Sequence, residues 1–188
     1  MQIKKGFFGK DITMELLHKL DDKLNFDLTV IVCGTTALHV QGIDYRQTTD
    51  LDFAQSQSNI VWGLIARILQ ENPQYSREIY DDKACGVWCP LEDYEDRLVE
   101  IDGKFKYLKV FAISIEDWIV TQLESKKFES VLQYPVMLTR KRLQFIEDNM
   151  YKYCGTKPEY AKQSLKMLWE KVEEIESASD DFYYKVQF

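Results

Sequence analysis

The stretch VIVCGTTALHVQGIDYRQTTDLDFAQ, residues 30–55, joins an apolar segment to a turn of small residues and ends in a second apolar segment with two acids. The β-branched run VIVCG predicts a buried strand that ends at Gly34. TTALHV then predicts a short helix, and TDLDFAQ predicts a second strand. Because a carboxylate inside an apolar segment costs free energy unless something pairs with it, the Asp-Leu-Asp of the second strand indicates a functional site.

Asp50 and Asp52 are two residues apart in the predicted second strand. Residues at this spacing share one face of a strand, about 6.6–7 Å apart. Two convergent carboxylates repel each other unless a cation or a shared proton lies between them. Hard oxygen ligands on a strand suit Mg²⁺ or Mn²⁺, which complete their coordination with water and substrate phosphates. We therefore expect Asp50 and Asp52 to bind Mg²⁺ or Mn²⁺.

The turn between the first strand and the helix predicts a site for phosphate. A glycine at such a turn offers backbone N–H groups and the positive end of a helix dipole to an anion. Gly34 would let the backbone approach a phosphate closely, and the hydroxyls of Thr35 and Thr36 could donate to its oxygens. The alternative is that the acids lie on a solvated strand face and that the turn has no ligand.

The composition predicts a soluble, cytoplasmic globular protein. The chain has 188 residues, of which 45% are hydrophobic, and no run approaches the ~20 apolar residues that a membrane helix needs. Its N-terminus lacks the apolar core of a signal peptide. The net charge of −7 argues against broad, non-specific binding of nucleic acid.

The order of predicted elements indicates an α/β (α+β) fold with a mixed sheet flanked by helices and a C-terminal helical subdomain. RLVEI and KFKYLKVFAI predict two strands of a hairpin, because Asp102-Gly103 between them is a turn signal. In the first of these strands we expect Val99 and Ile101 to face the core and Glu100 to lie on the other side. We place the sheet domain at residues 1–126, a helical region at 127–178 and a flexible tail at 179–188.

The motif CGTTALHVQGIDYRQTTDLDF resembles the signature of the polymerase-β-like nucleotidyltransferase superfamily, and is similar above all to AbiEii-type toxins and their relatives. The resemblance covers residues 27–126. In those relatives a Gly-Gly-x-Ala-Leu turn is followed by Gly, Arg, Thr and Asp-x-Asp. The matching positions here are Gly34, Ala37, Leu38, Gly42, Arg46, Thr49, Asp50 and Asp52.

The resemblance implies roles for these residues. The Asp pair would bind the metal ions that carry a nucleoside triphosphate (NTP), and the glycine turn would hold its phosphates. A third carboxylate on a neighbouring strand would activate the acceptor hydroxyl, and Glu100 is our candidate. Arg46 would neutralise a phosphate or hold Asp50, and we place Thr49 with the nucleotide-binding residues.

The resulting hypothesis is a metal-dependent nucleotidyltransferase that moves a nucleotidyl group from an NTP to a hydroxyl of RNA, protein or a small molecule. Its role would be related to toxins or defence, and a partner protein could restrain it. A catalytically silent member that binds a nucleotide or a partner protein is the alternative, because Thr35 replaces a Gly or Ser and Gln122 replaces a Lys of the relatives. A nuclease or phosphatase with the same metal pair is a third.

Overall fold

The architecture is an α/β fold built on a mixed sheet. The computed structural model describes residues 9–43, 46–48, 50–55, 58–73, 75, 80–81, 90–125 and 128–185. Its strands are β1 (Leu28–Val32), β2 (Leu51–Gln55), β3 (Tyr80–Asp81), β4 (Val99–Glu100) and β5 (Leu108–Ala112). Its helices are α1 (Lys10–Asp22), α2 (Gly34–Val40), α3 (Ser58–Glu71), α4 (Ile115–Gln122), α5 (Phe128–Leu132), α6 (Arg140–Asn149) and α7 (Pro158–Lys185).

The five described strands form one sheet in the order β3-β2-β1-β5-β4. β1 lies at its centre, parallel to β5 and antiparallel to β2. The edge strand β3 is parallel to β2, whereas the edge strand β4 is antiparallel to β5. The predicted fold class, a mixed sheet flanked by helices with further helices at the C-terminal end, is confirmed.

The chain divides into two compact units, residues 1–88 with 95–114 and residues 89–94 with 115–188. The first unit contains the sheet and α1 to α3. Its core forms because β1 is buried at every position except Thr29 and the helices present apolar residues at helical spacing. Fully buried members of this core are Leu16, Leu17, Leu20, Val30, Val32, Val61, Ile65 and Ile68.

The second unit is helical and contains α4 to α7. It includes Ile115 onward, so α4 belongs to it although α4 precedes the boundary that the sequence suggested after residue 126. Its buried residues include Trp118 of α4, which is 2% exposed, Leu143 and Ile146 of α6 and Leu168 of α7. Between α4 and α6, the Arg142 guanidinium donates to a Glu116 carboxylate oxygen at 3.1 Å.

The longest helix of this unit, α7, is amphipathic. Its buried residues recur every three to four positions, as expected for a helix that packs one face: Ala161, Ser164, Leu165, Leu168 and Val172. The helix continues to Lys185, so residues 179–185 of the expected tail are helical, while residues 186–188 lie outside the described residues. Of the described helices, none combines the length and the apolar character needed to cross a membrane.

The predicted hairpin is present as β4 and β5, with Glu100 opposite Phe111 in the register. One expectation about it was wrong. Val99 is 38% exposed and does not face the core, because β4 is a two-residue edge strand that pairs on one side only. Glu100 is exposed as well, so the alternation of buried and exposed residues assumed for this strand is absent.

Candidate functional site

Asp52 lies at the start of β2 and is held by the turn that follows β1. Its backbone carbonyl accepts the Cys33 N–H at 3.0 Å, and its backbone N–H donates to the Thr36 hydroxyl at 2.9 Å. The two contacts come from opposite ends of the Cys33–Thr36 turn, so the backbone of Asp52 is fixed against it. The two parts of the sequence motif thus meet in space, although Thr36 and Asp52 are sixteen positions apart in the chain.

Gly34 makes room for the Asp52 carboxylate. An ideal Cβ added at Gly34 would lie 2.7 Å from Asp52 Cγ and would overlap Oδ2. The φ angle of Gly34 is +52°, in the left-handed region that side chains other than glycine rarely occupy. Both the conformation and the close approach therefore require glycine, and they place a half-buried carboxylate directly against the start of α2.

Asp50 precedes β2 by one residue and is also half-buried. The hydroxyl of Thr48, which is 9% exposed, donates to Asp50 Oδ1 at 2.6 Å. This hydrogen bond orients the Asp50 carboxylate. The carboxylates of Asp50 and Asp52 thus lie on the same short segment, each held by a different neighbour.

The residues proposed to hold phosphate are only partly accessible. Gly34 is half-buried, whereas Thr35 is 6% exposed and Thr36 is fully buried. Because the Thr36 hydroxyl accepts the Asp52 N–H, it joins α2 to β2 in this structure. The side chain of Arg46 is exposed, and Thr49 lies outside the described residues.

Glu100 is far from the Asp pair. It lies on β4, and the sheet order places β5 and β1 between β4 and β2. Three strand spacings of about 4.8 Å separate the two backbones by roughly 14 Å. The Glu100 carboxylate is instead 3.5 Å from the Lys109 ammonium group, and both side chains are more than half exposed. The structure therefore brings together Gly34, Thr36, Asp50 and Asp52, but not Glu100.

Asp81 is an acid that the sequence interpretation did not select. In the parallel pairing of β2 with β3, Asp81 is the register partner of Asp52. The sequence signal was an apolar-to-acidic segment, IYDD, at residues 79–82. Which strand it would pair with is a property of the sheet topology, so the position of Asp81 could not be inferred from the segment alone.

A large cleft lies elsewhere in the sheet unit. Its volume is about 790 Å³, and it surrounds the loop between β4 and β5. Its lining includes Glu100, Lys104, Phe105 and Tyr107, but neither Gly34 nor Asp52. We place the candidate site at the Asp pair and not in this cleft, because the Asp pair lies beside a glycine turn that accommodates one of its carboxylates.

Comparison with known proteins identifies the family of the chain. No curated protein and no solved structure matches it. One family model does match, over residues 6–177, which is most of the chain, and its description is "Nucleotidyltransferase of unknown function (DUF6036)". The matched region contains the glycine turn and the Asp-x-Asp strand. The chain therefore belongs to this family of nucleotidyltransferases.

Proposed function

We propose that this protein is a metal-dependent transferase that moves a nucleotidyl group from an NTP to an acceptor hydroxyl. In this reaction the acceptor oxygen forms a bond to the α-phosphorus of the NTP. The bond from that phosphorus to the bridging oxygen of the β-phosphate breaks, and pyrophosphate leaves. The proton of the hydroxyl passes to a base. The acceptor would be RNA, a protein or a small molecule.

The observation that carries the proposal is the contact between Gly34 and the Asp52 carboxylate. It places the turn proposed to bind phosphate beside the segment that carries Asp50 and Asp52. Membership of a nucleotidyltransferase family supports the same reaction class. Neither half of the motif alone would distinguish this site from a solvated acidic strand.

Asp50 and Asp52 would hold Mg²⁺ or Mn²⁺. The residues that the structure describes contain no group of three His, Cys, Asp or Glu side chains arranged to bind a metal. Two carboxylates nevertheless fit Mg²⁺, which is commonly bound by one or two carboxylates together with substrate phosphates and water. When bound, the ion would supply positive charge to the phosphate oxygens.

Gly34, Thr35 and Thr36 would hold the phosphates through backbone N–H groups. The first amides of a helix have no acceptor within the helix, and no side chain of the N-cap residue Cys33 caps α2. Backbone donors suit this role better than the hydroxyls, since both threonine side chains are buried. Arg46, whose side chain is exposed, and Thr49 would also contact the nucleotide.

Asp81 is our proposal for the third carboxylate. The backbone of Asp81 is the register partner of Asp52, whereas Glu100 is three strands away. Two matched variants separate these candidates. Asp81→Asn is expected to abolish transfer while retaining nucleotide binding, and Glu100→Gln is expected to leave both unchanged. The reverse pattern would restore Glu100 as the base.

Isothermal titration with Mg²⁺ and each of the four NTPs tests the binding step. The wild type should bind at least one Mg²⁺–NTP, and both Asp50→Ala and Asp52→Ala should abolish this binding. Asp27→Ala, which removes an exposed acid of the same unit, is the control and should bind normally. Absence of binding in the wild type, or unchanged binding in both site variants, would refute the proposal.

The second candidate function is a silent member that binds a nucleotide or a partner protein without transfer. It is favoured by the remoteness of Glu100 and by Gln122, whose amide donates to the adjacent Thr121 hydroxyl at 3.0 Å. Incubation with labelled NTP and a cell lysate distinguishes the two functions. Label transferred to any acceptor by the wild type, and lost in Asp52→Asn, excludes the silent member.

The finer assignment to AbiEii-type toxins, with a partner protein that restrains the enzyme, belongs to the same proposal. It rests on the spacing of the motif from Gly34 to Asp52. Induced expression of the wild type should arrest growth, and Asp52→Asn should not. Normal growth with abundant wild-type protein that transfers nucleotide in vitro would separate the toxin role from the transferase activity.

A further inference from the structure

We propose that His39 is a positioning residue of the candidate site: its imidazole holds the segment that leads into the Asp50–Asp52 strand. The inference rests on the proposed function, because it assigns a role at the same site. His39 lies on α2, three residues after Thr36, and is 1% exposed. Residues three apart on a helix lie on the same face, so Thr36 and His39 point the same way.

Both ring nitrogens of His39 lie within hydrogen-bond distance of a partner. Nε2 lies 3.2 Å from the backbone carbonyl oxygen of Arg46, which can only accept, so Nε2 must carry a proton. Nδ1 lies 2.9 Å from the hydroxyl of Thr13 on α1. The same hydroxyl lies 3.1 Å from the Gly9 carbonyl oxygen, so Thr13 links the imidazole to the start of α1.

These bonds connect helix α1 to the acidic segment through one buried ring. Arg46 is followed two residues later by Thr48, whose hydroxyl donates to Asp50 Oδ1. On the other side of Asp50, the Thr36 hydroxyl accepts the Asp52 N–H. One face of α2 therefore holds the segment at two points that flank Asp50, with His39 before it and Thr36 after it.

This arrangement gives His39 a role distinct from that of a general base. A base must reach the proton of the substrate, whereas this ring is almost fully buried with both nitrogens engaged in hydrogen bonds. Groups behind metal-binding carboxylates commonly fix the orientation on which affinity depends. We therefore expect His39 to act on metal and nucleotide binding through the position of Asp50.

Two amide variants separate a positioning role from mere filling of space. In His39→Gln the amide nitrogen can occupy the place of Nε2 and donate to the Arg46 carbonyl. In His39→Asn the shorter side chain can occupy only the place of Nδ1. His39→Leu removes both hydrogen bonds. Val110→Ala, which shortens a side chain of the same unit that is 1% exposed in β5, controls for general destabilisation.

The experiment combines titration with Mg²⁺–NTP and ¹⁵N relaxation of the backbone amides of residues 46–48. We expect His39→Asn and His39→Leu to bind the nucleotide about tenfold more weakly, because the Arg46 carbonyl loses its donor. Their order parameters should fall from about 0.85 toward values below 0.6. His39→Gln should keep the nucleotide affinity and the order parameters of the wild type. Val110→Ala should lower the melting temperature but change neither the nucleotide affinity nor the order parameters.

Equal behaviour of the Gln and Asn variants, or unchanged order parameters in His39→Leu, would overturn the inference. So would unchanged nucleotide affinity in His39→Leu when the wild type binds. Failure of the proposed function is seen separately, as absence of Mg²⁺–NTP binding in the wild type. In that event the relaxation measurement still decides whether His39 holds the segment, and the binding role of His39 is refuted.

Discussion

Gly34 is required both by the backbone conformation of the turn and by the close approach of the Asp52 carboxylate. We predict that Gly34→Ala lowers the free energy of unfolding by about 1–3 kcal/mol, because alanine is strained at φ +52°. It should also abolish Mg²⁺–NTP binding, since the new methyl group would displace the Asp52 carboxylate. Urea unfolding and calorimetric titration measure the two effects.

Gly63→Ala is the matched control for this substitution. Gly63 lies in α3, and a Cβ added there would meet nothing within 4 Å. Because alanine favours a helix over glycine, this variant should be more stable than the wild type by roughly 0.5–1 kcal/mol. A Gly34→Ala protein as stable as Gly63→Ala would contradict the close approach of Asp52 to the turn.

Thr36 supplies a second prediction, about the backbone of Asp52. Thr36→Val has nearly the same shape but lacks the hydroxyl that accepts the Asp52 N–H. An unpaired buried N–H costs about 1–3 kcal/mol, so we expect lower stability and faster hydrogen exchange of the Asp52 amide. Thr36→Ser retains the hydroxyl and should keep that amide protected. Equal exchange rates in the two variants would show that the hydroxyl does not hold β2.

At the scale of elements, Asp21 at the end of α1 binds the segment that enters β5. Its carboxylate accepts the backbone N–H groups of Lys106, Tyr107 and Leu108 at 2.7, 2.8 and 2.7 Å. Burial raises the pKa of Asp21, but these three hydrogen bonds, together with His18, outweigh it and lower the pKa below its ordinary value. The ionised carboxylate therefore stabilises the fold.

The sign of the pH dependence follows from this lowered pKa. A carboxylate with a lower pKa in the folded state stabilises the protein above its unfolded pKa, near 4. This stabilisation is lost as the pH falls through the folded value. We predict that Asp21→Asn is less stable than the wild type by about 1–3 kcal/mol at pH 7, and that the difference shrinks below about pH 4. Urea unfolding at a series of pH values measures it.

The exposed neighbour Asp22 provides the control for this element. Asp22→Asn changes the net charge equally but removes no group from the segment that enters β5. It should follow the wild type at every pH. A difference between Asp21→Asn and the wild type that is independent of pH would show that ionisation of Asp21 does not stabilise the joint between α1 and β5.

The sequence predicted the hairpin of β4 and β5 but not the exposure of its residues. Asp102-Gly103 between two apolar runs identified the pair of strands, because a turn signal is local. The exposure of Val99 could not be inferred in the same way. It depends on β4 being the edge of the sheet, which is decided by the strands that pair with β5 and β1.

For the whole molecule, charge sets the conditions for binding a nucleotide. The chain carries −7, and an NTP is a polyanion, so long-range electrostatics opposes their association. We predict that EDTA weakens NTP binding by more than about tenfold, because Asp50 and Asp52 then repel the phosphates without a cation between them. Titration with and without Mg²⁺ measures the effect, with adenosine as a ligand that has no phosphate. Tight NTP binding in EDTA would refute the metal requirement.

The sequence by itself determined the elements of residues 30–55 and the candidate acids. A β-branched run, a glycine and an Asp-x-Asp that leads into an apolar segment are local patterns, and local patterns follow from backbone sterics and side-chain periodicity. The strand itself begins at Leu51, so Asp50 precedes it. Only the tertiary structure decided which acids lie together. The pairing of β2 with β1 and β3 placed Asp52 against Gly34 and beside Asp81, while Glu100 lies across the sheet. Strand order depends on contacts between distant parts of the chain, and no short motif contains that information.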